Sequence, residues 1–187
     1  MRHKLSIASV FIVLGMFVFT AIPSMLFAKT GTGKNFANPS WNQTLKSSSR
    51  FIVLTNMNKE AVLDMETGLV WELSPSTSSS NWFGAKSHCR VTTTGNRKGW
   101  RVPTVEELSS LVDPSQANPA LPIGHPFSNI QTDLFYWSSS THIDAANTDG
   151  ASALMVKFDA GGTGWGVKAT SSAYTWCVRG GHGYDAY

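Results

Sequence analysis

The sequence predicts an α+β domain with a small, mostly antiparallel sheet, two helices close together in the chain and long loops. Three observations carry this. Short β-branched or aromatic runs alternate with turns rich in Gly, Asn and Ser towards both ends of the chain. Between them, residues 82–89 and 104–112 carry their apolar groups at helical spacing. The two cysteines, Cys89 and Cys177, lie far apart and form an even pair.

Ahead of the domain stands a signal-like segment. Arg2, His3 and Lys4 form a basic start, residues 5–27 are largely apolar, Pro23 interrupts them, and Ala28 offers a small residue for cleavage. The alternative is an uncleaved anchor, since about 20 apolar residues can span a bilayer. Pro23 and the polar Lys29-Thr30-Gly31 favour cleavage after residue 28. Loss of 1–28 takes Lys plus Arg from 15 to 13 while Asp plus Glu stays at 12, leaving about +1. That near-neutral remainder argues against a nucleic-acid binder. In an exported chain Cys89 and Cys177 read as a disulfide, with free thiols or metal ligation as the competing readings.

Residues 29–50 are polar and aperiodic, which predicts a linker or poorly ordered arm. The domain is expected over 51–181, with a flexible tail at 182–187. Residues 51–55, 61–64 and 69–73 read as three short strands joined by turns at 56–59 and 66–68. Trp82, Ala85 and Cys89 share one face of a helix that Ser80 or Asn81 can cap. A turn at 95–99 leads to a second helix, where Thr104 and Glu107 have capping-box spacing. Arg101 is expected to pair with Glu106 or Glu107. Residues 113–129 hold four prolines and predict a long loop, and 141–150 a further polar loop. Residues 135–138, 154–158 and 165–168 read as strands. In the last run, Tyr174, Trp176 and Val178 face one way, with Cys177 and Arg179 facing the other.

Six segments in order carry a family resemblance. They are Val62-Leu63-Asp64 with Thr67-Gly68-Leu69-Val70-Trp71-Glu72; the Trp82, Ala85, Cys89 set; Gly99-Trp100-Arg101-Val102-Pro103-Thr104; Glu106-Glu107-Leu108; Tyr136-Trp137-Ser138-Ser139; and Trp176-Cys177-Val178-Arg179-Gly180-Gly181. Together they resemble the Lcl C-terminal domain family, a bacterial domain of unknown function, across roughly residues 60–181. Their order is similar to that of the C-type lectin-like fold, and the Arg-x-Pro-Thr-x-x-Glu stretch to one in formylglycine-generating enzymes of that fold group. The resemblance implies a Cys89–Cys177 disulfide, a two-helix scaffold and long loops presenting a variable surface. It also implies a surface adhesin that binds sulfated polysaccharide, with trimers among its relatives.

The expected function is therefore a non-enzymatic binding or adhesion module, exported to the periplasm, the cell surface or beyond. A structural subunit of a surface assembly is the alternative, and an enzyme related to the formylglycine-generating proteins is a weaker one. No nucleophile elbow or zinc-binding His pair occurs, and no cofactor or metal site is predicted. Asn118-Pro119 and Asn147 with Asp149 are only fragments of a calcium-lectin ligand set. His88 and His125 read as packing, surface or loop-bracing residues. The densest basic cluster is Arg90, Arg97, Lys98 and Arg101, and Arg97 and Lys98 are the candidate anion-binding pair. Most tryptophans are expected in the core. Trp165, between Gly164 and Gly166, is the candidate for an exposed sugar-stacking ring.

Overall fold

The computed structural model describes residues 43–180; the signal-like segment 1–28, most of the arm and the tail 182–187 lie outside the described residues. The α+β class holds, but the strands form two antiparallel sheets rather than one. The first sheet has the order β1-β2-β3-β7, from Phe51–Val53, Ala61–Asp64, Val70–Glu72 and Val178–Arg179. Its turns follow from local chemistry. Asn58 and Lys59 take positive φ after the 3-10 turn Thr55–Met57, and Gly68, at φ 75°, lets Leu69 return to pair with Asp64.

The second sheet joins β4 (Tyr136–Asp144), β5 (Asn147–Val156) and β6 (Thr163–Val167) in sequential order. This corrects the loop expected at 141–150: Thr141 pairs with Ala153, His142 with Ser152 and Asp144 with Asn147. The run is polar because this end of the hairpin extends past the core, so burial imposes no apolar alternation on it. Asp144 and Asp149 accept the backbone N–H groups of Ala146 and Ala151, which fixes the turn without apolar contacts.

The main helix, α2 (Trp82–Val91), starts where Asn81 accepts the N–H of Gly84. Helix α3 (Val105–Ser109) has the full reciprocal capping box between Thr104 and Glu107. A further short helix, α1 (Ser47–Arg50), lies within the stretch read as an arm. That stretch is tied to the domain at its end: Arg50 is buried, Gln43 donates to the Ser110 carbonyl, and the Leu45 N–H donates to Glu66. The 113–129 segment is irregular, as expected. It is pinned by Asn118 and Ala120 N–H bonds to the Asp159 and Phe158 carbonyls and by the buried side chains of Leu121 and Phe127.

The apolar side chains separate into two clusters. One gathers Trp71, Trp176, Tyr136, Phe158 and Phe127 with Leu108 and Leu111 of α3 and its C-terminal extension. The other sits under α2 and holds Trp82, Trp100, Trp137, Met155 and both cysteines. The alternation expected at 174–178 is what feeds them, since Tyr174, Trp176 and Val178 enter the first cluster and Cys177 the second. Backbone bridges from Tyr136 to Tyr174 and from Arg101 to Val178 bind the late segment to both halves of the fold.

Candidate functional site

Helix α2 uses both of its faces. Trp82, Ala85 and Cys89 point into the core, and Cys89 is bonded to Cys177, with Cα atoms 5.5 Å apart. The outward stripe carries Phe83, Lys86, Ser87 and Arg90 at positions i, i+3, i+4 and i+7. Facing it, Trp100, Arg101 and Val102 form the far wall of a groove of about 540 Å³.

Hydrogen bonds hold this groove rigid. Trp82 Nε1 donates to the Ser138 carbonyl at 2.8 Å, which fixes the indole from the second sheet. Trp100 Nε1 donates to the Thr94 and Arg97 carbonyls at 3.2 and 3.1 Å. Two ammonium groups address the Trp82 ring, Lys86 at 4.6 Å and Lys168 at 4.7 Å from its centroid. Lys168 is itself anchored by the Gly150 carbonyl and Thr141 Oγ1.

Among the described residues, three cations and no carboxylate line the groove. Arg101 is committed: its guanidinium makes a bidentate pair with Glu107 at 2.7 and 2.6 Å and donates to the Gly180 carbonyl. Glu107 is thus the partner of the two carboxylates expected for it. Lys86 and Arg90 form no ion pair among the described residues. The exposed Phe83 ring, with the nearly buried Trp82 and Trp100 behind it and two such charges beside it, can take a ligand with an apolar face and an anionic substituent.

The residues singled out in the sequence are distributed differently. Arg97 and Lys98 are exposed on the turn before Trp100, and the Arg97 carbonyl braces that indole. Neither side chain lines the groove. Trp165 is 54% exposed on β6, where it stacks on His142 at 5.2 Å and an interplanar angle of 12°. His142 in turn contacts Asp144 at 3.0 Å. The calcium-set fragments lie on separate elements, Asn118 in the 113–129 loop and Asp149 on β5. His125 stacks on Phe127, and burial lowers its pKa.

Lys86, Phe83 and Lys168 were not singled out in the sequence. The i, i+3, i+7 spacing of Phe83, Lys86 and Arg90, opposite the Trp82–Cys89 stripe, is the signal that marks the first two. A second cluster lies behind α2, where ligand-type atoms of Glu72, His88 and Cys177 fall within 4.8 Å of one another. Burial raises the Glu72 pKa, against the lowering effect of hydrogen bonds from the Cys177 N–H and the Thr94 hydroxyl.

The fold and groove define a small, disulfide-tied α+β domain with an aromatic, basic recess along its main helix. Residues 60–179 match the Lcl C-terminal domain family, and the chain belongs to that family. A comparison with curated proteins finds no match.

Proposed function

We propose that this protein is an exported, non-enzymatic binding module that takes an anionic polysaccharide in the groove between α2 and Trp100–Val102. One observation carries it: Lys86 and Arg90, with no ion-pair partner among the described residues, stand beside the Trp82, Phe83 and Trp100 rings. A sugar ring offers C–H groups to the exposed Phe83 ring, and a sulfate or carboxylate substituent offers charge to Lys or Arg. The lectin-like order of the sequence segments supports the same choice of ligand class. Export is supported by the signal-like residues 1–28 and by the disulfide.

The test is retention of the mature domain on immobilised heparin, eluted with a salt gradient. Lys86→Ala with Arg90→Ala should elute at clearly lower salt, and Arg97→Ala with Lys98→Ala should elute close to the wild type. Equal loss from both pairs would mean diffuse charge rather than a groove. Flow-through of the wild type at low salt would exclude this ligand class.

Exposed Ile143, Trp165 and Val167 on the second sheet favour one further reading, a subunit that packs against other copies in a surface assembly. A stable oligomer by size exclusion that Trp165→Ser dissociates would support it.

A further inference from the structure

Cys89 and Cys177 are made as thiols, so a dithiol form of this domain precedes the disulfide whatever compartment oxidises it. Two other ligand-type side chains adjoin the pair. His88 neighbours Cys89 on the exposed side of α2, and Glu72 of β3 reaches Cys177, whose sulfur is bonded to that of Cys89. The ligand atoms of Glu72, His88 and Cys177 already lie within 4.8 Å of one another.

We propose that the dithiol form binds one zinc ion through the Cys89 and Cys177 thiolates, His88 and Glu72. Four ligands of this kind suit tetrahedral zinc, and paired thiolates select it over magnesium or calcium. With zinc–sulfur bonds of about 2.3 Å, two thiolates on one ion sit about 3.8 Å apart. Cα atoms 5.5 Å apart are compatible with that spacing.

The carboxylate is already oriented. Thr94 Oγ1 donates to Glu72 Oε1 at 2.8 Å, and the Cys177 N–H donates to Oε2 at 3.0 Å. Such outer hydrogen bonds fix a ligand's direction while leaving further oxygen lone pairs for an ion.

On binding, each thiol gives its proton to solvent, and zinc sheds its hydration shell of about six waters for two sulfurs, one nitrogen and one oxygen. Oxidation reverses this. A protein disulfide accepts two electrons and becomes a dithiolate, the Cys89–Cys177 bond forms, and zinc is released to water. The ion thus holds the two sulfurs side by side until the bond is made.

The experiment uses the purified protein, reduced with a phosphine and titrated with zinc against a chromophoric chelator. One equivalent should bind. His88→Ala and Glu72→Gln should each weaken binding at least tenfold, about 1.4 kcal/mol. Cobalt in place of zinc should give thiolate charge-transfer absorption and the visible bands of a tetrahedral site, altered by His88→Ala. His88 is exposed, so its loss removes no core packing.

Equal affinity in the wild type and His88→Ala would overturn the proposal, because two thiols alone would then account for the binding. A reduced chain too unfolded to assemble the site gives that same result. Equally tight binding by the oxidised protein would also overturn it, since the thiolates would then play no part.

Discussion

Arg50 grips Asp64 with a two-point hydrogen bond, Nε to Oδ1 at 2.9 Å and Nη2 to Oδ2 at 2.8 Å, and both side chains are out of contact with solvent. The pair joins the end of α1 to β2. Nη2 also donates to the Ser110 carbonyl, which extends the tie to the residue after α3. Removing one member of a buried pair leaves the other charged and unpaired, which is costlier than replacing both. Arg50→Met should therefore cost about 3–5 kcal/mol in urea unfolding. Arg50→Met combined with Asp64→Leu should recover much of that loss. A double variant no more stable than the single one would assign the effect to packing.

Gly95 at φ 65° places its missing Cβ 2.6 Å from Met57 Cβ and 3.1 Å from the Met57 carbonyl. Neither is a flexible tip that can swing aside. Gly95→Ala thus adds left-handed strain to a steric overlap, and the combination should cost about 1–3 kcal/mol or more. The same turn shapes the carbonyls that receive Trp100 Nε1, so the groove should be disturbed with it. Thermal unfolding and heparin retention should fall together in this variant. A loss of stability with unchanged retention would separate the turn from the groove.

Glu72 sets a pH dependence whose sign is unusual for a carboxylate. Burial raises its pKa in the folded state above the usual 4.5, so between 4.5 and the raised value the native form holds more protons than the unfolded form. Stability from this group is then full below the ordinary glutamate range and declines as pH rises through the folded value. Plotted as the wild-type stability minus that of Glu72→Gln, the difference should fall with increasing pH across that window. A difference that rises with pH would mean that the Cys177 N–H and the Thr94 hydroxyl outweigh burial.

What the sequence disclosed depended on whether a segment carried its own periodicity. The Trp82, Ala85, Cys89 stripe and the Thr104–Glu107 capping box are local, and each landed on the element expected. The alternation at 174–178 was equally readable, because both of its faces are buried, in different clusters. Arg50 could not be found this way: a charged residue after three serines looks solvated, and only Asp64, 14 positions later, makes its burial tolerable. The distal hairpin of β4 and β5 was hidden because cross-strand pairing, not an apolar pattern, specifies it. The groove was half legible. Arg90 and Arg101 stood out as charge, but the wall that gathers them is set by tertiary contacts.

The smallest strand, β7, governs when the domain can become itself. Val178 and Arg179 pair with Trp71 and Val70, and Trp176 donates its indole N–H to the Glu72 carbonyl across 104 positions. The sheet stays open along β3 until residues 178–179 dock on it. Contacts of such long sequence separation slow folding, so the β3 edge is among the last parts of this sheet to be covered. Until then the β3 edge and the Trp71 ring, both covered in the finished fold, stand open, and a strand edge beside an uncovered indole is where the incomplete domain is exposed to mispairing.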